Sequence, residues 1–117
     1  MAGTHVCATP TGNLRVRSAD GFIARGLGLL VGAPLDVCEG LLIAPCSSIH
    51  TIGMRYPIDV VFLDRGARVL RVCPNVRAGR MRFSLRARAV LELRAGTSAR
   101  HGLTVGLHLP ELAAALA

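Results

Sequence analysis

His50 and Asp59 are the first residues in this chain whose types could do chemistry together. An imidazole that titrates near neutrality, set beside a carboxylate, is an acid–base pair, and a small hydrolase or lyase could be built on it. That reading requires the two side chains to meet within hydrogen-bond reach, directly or through one water. The segment around His50, Cys46 to Tyr56, also holds Ser47, Ser48, Thr51, Met54 and Arg55. It lies between two apolar runs, Leu41-Leu42-Ile43 and Ile58-Asp59-Val60-Val61-Phe62-Leu63. Polar groups enclosed between core strands must be hydrogen-bonded. The segment is therefore either structural cement or a polar cleft for a small ligand or a protein partner. The two readings predict different things of Asp59. In a strand from Ile58 it shares a face with Val61 and Leu63, so burial is expected, and a buried carboxylate needs hydrogen bonds or a cation. Arg55 and His50 are the nearest candidates; the plain alternative is that Asp59 ties down the loop by accepting backbone N–H bonds.

The cysteines carry less. Cys46 and His50 are the residue types of a nucleophile pair, but their spacing in a non-helical loop guarantees no contact. Cys38, Cys46 and His50 lack the short cysteine spacing of a zinc knuckle. No metal and no cofactor is expected, and small buried thiols are the simpler account. The P-loop, catalytic-triad and base-flipping deaminase patterns are absent, and Gly26-Leu27-Gly28 lacks the strand and third glycine of a dinucleotide fingerprint.

All 14 basic residues are Arg, against 7 acids, for a net charge of +7. The excess belongs to the second half, where Arg77, Arg80, Arg82, Arg86 and Arg88 form a stretch without an acid. Such a stretch suits phosphate backbones or an acidic partner. Phe83 is its only aromatic, which argues against base stacking and leaves a solvated, mobile hairpin as the plain reading.

These residues need elements to position them. A chain of 117 residues is expected to be one domain, residues 1–117, and 51% hydrophobic content supports a real core. With so few aromatics the core falls to Leu, Val, Ile and Ala. Residues 1–12 read as a loose lead-in and Leu14 to Arg17 as an edge strand. A short helix is expected from Ser18 to about Gly32, with Phe22, Ile23, Leu27 and Leu30 on one face. Strands follow near 41–44, 49–53, 58–63, 68–76, 88–94 and 103–109. Asp64-Arg65-Gly66-Ala67 reads as a tight connection with glycine supplying positive φ. Pro110 opens a short C-terminal helix. The expected fold class is mainly β, a mostly antiparallel β-sandwich or flattened barrel with one short N-terminal helix. No run is long enough to span a bilayer, so this is not a transmembrane protein, and the start has no apolar signal region. The expected location is cytoplasmic, or the envelope if a leader has been removed.

The ordered set Arg25-Gly26-Leu27, Glu39-Gly40-Leu41-Leu42, Ser48-Ile49-His50-Thr51, Met54 to Asp64, Ala89-Val90-Leu91-Glu92-Leu93-Arg94-Ala95-Gly96 and Gly102-Leu103 resembles the domain-of-unknown-function 192 family. The resemblance covers about residues 14–109, and Ile49 to Asp64 is its most specific part. It implies a β-rich domain of bacterial and archaeal proteins, often exported or near membrane-associated systems, with no established reaction. Many relatives carry Trp-Met-Lys-Asn-Thr where this chain has His50-Thr51-Ile52-Gly53-Met54, so a tryptophan-and-lysine ligand surface does not carry over. Asp59 and Glu92 do. The family's closing Gly-Asp is Gly106-Leu107 here, which removes a carboxylate. Read without the resemblance, Glu92 alternates outward in its strand to pair with Arg88 or Arg94.

The first expectation is a non-catalytic binding or accessory domain contacting its ligand or partner through His50, Thr51, Met54, Arg55, Asp59 and Glu92. The alternatives are acid–base catalysis by His50 and Asp59, and nucleic-acid binding through Arg77 to Arg88.

Overall fold

The computed structural model describes residues 3–19 and 35–116. The helix expected from Ser18 to Gly32 lies outside these residues for all but its first two positions. Among the described residues are eight strands: β1 (Thr4–Thr9), β2 (Gly12–Ser18), β3 (Glu39–Ile43), β4 (Ser48–His50), β5 (Ile58–Leu63), β6 (Val69–Val76), β7 (Met81–Phe83) and β8 (Ala89–Arg94). A four-residue helix, α1 (Thr97–Arg100), and a 3-10 helix (Pro110–Leu116) follow.

Six strands form one sheet in the order β1-β2-β3-β8-β5-β6, and β4 pairs with β7 in a small ribbon. Among the described strands only the β2–β3 pairing is parallel. The architecture is thus mainly β and mostly antiparallel, as expected, but no closed barrel forms. The sheet stays open, with β1 and β6 at its edges. The ribbon is its only companion sheet among the described residues.

β5 and β8 hold the centre because nearly every side chain in them is buried, a pattern that only a strand covered on both faces can sustain. The pleat sorts their side chains. Val61, Leu63, Leu91 and Leu93 face a cluster with Leu14, Val16, Leu42, Leu103, Leu109 and Leu112, whereas Ile58, Val60, Phe62 and Val90 face a second cluster with Leu41, Ile43, Leu35 and Met54. The first face is covered by the chain after β8, including the 3-10 helix. Against the second pack Cys46, Ile49 and Tyr56 of the loop between β3 and β5. Gly40 permits the crowding between β3 and β8: a Cβ there would stand 2.8 Å from Leu93 Cδ2 and 2.9 Å from Leu91 Cδ1.

Several expectations need correction. The lead-in is strand β1, paired along its whole length with β2, so Leu14 to Arg17 is not an edge. Its signal was weak because Cys7 is its one fully buried side chain among small polar neighbours. Residues 103–109 form no strand; positive φ at Gly102 and Gly106 breaks the run, leaving one bridge between Arg68 and His108. In the turn after β5, Ala67 rather than Gly66 takes positive φ, at 64°. Asp64 Oδ1 makes this possible by accepting from the Gly66 and Arg68 amides, each at 2.9 Å. The C-terminal helix is 3-10 and well tethered: Leu112 and Leu116 are buried, and Glu111 Oε2 accepts from the Ala8 amide at 2.9 Å.

Candidate functional site

Asp59 is completely buried, and its carboxylate is fully engaged by the protein itself. Oδ1 accepts from the Asn75 amide at 2.8 Å. Oδ2 accepts from the Gly96 amide at 3.1 Å, the Ser98 amide at 2.9 Å and the Ser98 hydroxyl at 2.6 Å. The carboxylate therefore joins the bulged strand β6, where Asn75 has a φ of 51°, to the start of α1. Backbone donors do hold Asp59, but they come from these two segments and not from the polar loop. Four donors satisfy a buried carboxylate without a cation. Neither Arg55 nor His50 is among them.

The register explains why. Asp59 lies opposite Leu93, and Val60 lies opposite Glu92. Leu93 and Val60 belong to the two different core clusters, so Asp59 and Glu92 point to opposite faces of the sheet. The loop bearing His50 packs on the Glu92 face. His50 itself is exposed on β4, opposite Met81 of β7. The structure does not bring His50 and Asp59 together, and no acid–base pair is assembled from them.

The rest of the loop divides in the same way. The Thr51 hydroxyl donates to the Arg77 carbonyl at 2.6 Å and accepts from the Arg80 amide at 2.9 Å, pinning the loop to the turn between β6 and β7. Met54 is core. Arg55 is exposed and Tyr56 half-buried. The Cys46 thiol donates to the Ser48 carbonyl at 3.0 Å. Cys7 and Cys73 are buried as small apolar groups, whereas Cys38 is exposed. Among the described residues no group of three or more His, Cys, Asp or Glu side chains could hold a metal ion.

Glu92 is the outlier. It does not alternate outward to an arginine; it is 8% exposed, within the apolar face formed by Leu41 and Val60. No hydrogen bond from the described residues reaches its carboxyl, and burial pushes it up to about 7. Nearby, the Tyr56 phenol is raised by its own burial and then by the charge of Glu92. A carboxyl in this state exchanges its proton near neutrality and gains from any donor that reaches it.

The basic stretch is not a loose loop either. Met81–Phe83 is strand β7, and its pairing with β4 places Phe83 opposite Ser48 and Arg82 opposite Ile49. Sequence reading also passed over His101. It is buried at the end of α1, with Nε2 3.1 Å from the Val37 carbonyl and Nδ1 3.0 Å from the Thr9 hydroxyl. A lone histidine after a short Thr-Ser-Ala-Arg helix offers no pattern that would have marked it.

The family model of DUF192, described as uncharacterized ACR, matches residues 5–110, and so takes in most of β1 as well. No curated protein matches the chain. Two solved structures share its fold. One, a protein of unknown function from Novosphingobium aromaticivorans DSM 12444, is 20% identical, with a TM-score of 0.75 over 90% of this chain and 81% of that one. The other, from Sinorhizobium meliloti 1021 and provisionally named a transcription regulator, is 22% identical, with a TM-score of 0.79 over 93% of this chain and 92% of that one.

Proposed function

We propose that this chain, which belongs to the DUF192 family, is a single-domain, non-catalytic binding module whose recognition group is Glu92. The observation that carries this reading is a carboxyl held almost wholly within an apolar face, with no hydrogen bond from the described residues, beside the half-buried Tyr56. Burying an ionisable group without partners destabilises the fold, and a ligand that supplies the missing donor recovers that energy on binding. Of the loop residues considered from sequence, Arg55 and His50 are exposed and free to line an approach. Thr51 and Met54 act by holding the loop's shape. Asp59 supports the opposite face. The partner chemistry that suits Glu92 is a primary ammonium or another compact N–H donor, on a small molecule or at the end of a partner chain.

Thermal unfolding in the presence of small primary amines and amino acids tests this. Binding is expected to raise the midpoint of the wild type and to leave Glu92→Leu unmoved, by the ordinary linkage of ligand to the native state. Equal rises in both proteins, or none in either across the set, would remove Glu92 from the reading.

A further inference from the structure

We infer that the outer side of the β4–β7 ribbon is a docking surface for an anionic lipid bilayer, with apolar side chains entering the headgroup boundary and arginines meeting the phosphates. This inference makes no use of Glu92.

The pairing of β4 with β7 sets His50 opposite Met81 and Ser48 opposite Phe83, all four exposed, while Ile49 and Arg82 turn the other way. Ile49 packs against the apolar face of the main sheet, which fixes the ribbon by its inner side. The outer side is left with Met81 67% exposed and Phe83 52% exposed. Ile52, 64% exposed, follows one end of the ribbon, and Leu85, 88% exposed, follows the other. Leu85 sits at the tip of a turn closed by the Ala87 amide on the Ser84 carbonyl at 3.0 Å. The other exposed large apolar side chains among the described residues, Val6 and Val105, lie outside this segment. Clustering of this kind marks an interaction surface, whereas single exposed apolar residues do not.

The charge around the cluster selects its partner. Between Asp64 and Glu92 the chain contains eight arginines and no acid, and no acid lies between Glu39 and Asp59. Arg77, Arg80 and Arg86 are exposed around the ribbon. Arg71 ties the ribbon to β6 by donating to the Phe83 carbonyl at 2.7 Å, and Arg82 donates to the adjacent Met81 carbonyl at 2.8 Å. Apolar side chains among cations, with no acid between, complement a negatively charged surface that has an apolar layer beneath it. Nucleic acid matches the charge alone. It offers base faces for stacking, and Met81, Ile52 and Leu85 cannot stack. A protein partner would need a socket for Leu85, whereas a bilayer admits a projecting side chain without one.

The test is sedimentation of the full chain with vesicles of phosphatidylcholine alone and of phosphatidylcholine mixed with phosphatidylglycerol, with single- and double-stranded DNA run in parallel at the same salt. Binding to the mixed vesicles only is expected, weakening as salt rises. The double variant F83S/L85S, and separately R80Q/R86Q, should each weaken it at least about tenfold, since both kinds of anchor are needed. These side chains are solvent-exposed, and an unchanged unfolding midpoint verifies that the variants fold. Any of these outcomes would overturn the inference: no binding to mixed vesicles, equal binding to neutral ones, full binding by F83S/L85S or by R80Q/R86Q, or DNA binding tighter than vesicle binding.

Discussion

Asp59 and Glu92 stand one register step apart on the paired strands β5 and β8 and face opposite sides of the sheet. One carboxylate has four donors and the other has none from the described residues. Two acids that look alike in the sequence thus have opposite effects on the fold.

Asp59→Asn replaces an acceptor of four hydrogen bonds with an amide whose NH2 must face donors. A loss of about 2–4 kcal/mol in urea unfolding is expected, the range for breaking a buried charge-assisted network. A loss below about 1 kcal/mol would mean that the Asn75, Gly96 and Ser98 donors are not what Asp59 contributes.

Glu92 should make stability depend on pH in the reverse sense to a paired carboxylate. Its folded pKa, about 7, lies above the ordinary 4.5 of a glutamate, so the folded state binds the extra proton between these values. Stability is then greatest below the unfolded pKa and falls as pH rises towards the folded one. Glu92→Gln should gain about 1–3 kcal/mol over the wild type near pH 8 and little near pH 4.5. Urea titrations at both ends of that window would detect a gain that fails to grow with pH.

The four cysteines should separate by reactivity. Burial, aided by the charge of Glu111, pushes the Cys7 thiol up to about 12, and Cys73 is enclosed too. Iodoacetamide at neutral pH should modify exposed Cys38 first, while Cys7 and Cys73 react only on unfolding. Mass spectrometry of the native protein that finds Cys7 alkylated as fast as Cys38 would contradict this placement.

Gly40→Ala tests the packing of β3 on β8. The added methyl would meet the buried tips of Leu91 and Leu93, so a cost of about 1 kcal/mol or more is expected despite the lower entropy of the unfolded chain. Replacing Leu91 with Val in the same protein should restore part of the loss, as the unfolding midpoints would show.

Much of the fold is legible in the residues themselves. Ile58 to Leu63 reads as a central strand because it is apolar on both faces and bounded by Pro57 and Asp64, and the structure ends β5 at the same residues. The bland reading of Asp59, a carboxylate held by backbone donors, also follows from burial alone. Its partners do not, because Asn75, Gly96 and Ser98 lie 16, 37 and 39 residues away and are gathered only by the sheet. The same distance hides the depth of Glu92: alternation shows two faces of a strand but not that both are covered. β7 was masked for a different reason. Three residues flanked by arginines carry too little period to announce a strand, and β4 supplies what their own pattern lacks.

The position of β8 between β3 and β5 has a consequence for synthesis. Among the described strands, the last in chain order is the one that joins the sheet's two halves, β1-β2-β3 and β5-β6. Until Ala89 to Arg94 emerge, a nascent chain carries two separate half-sheets, each with an apolar strand open along its inner edge. Open edges of this kind invite pairing with other chains. A fragment that stops before Ala89 is therefore expected to aggregate, because β3 and β5 each keep an apolar edge that β8 would cover.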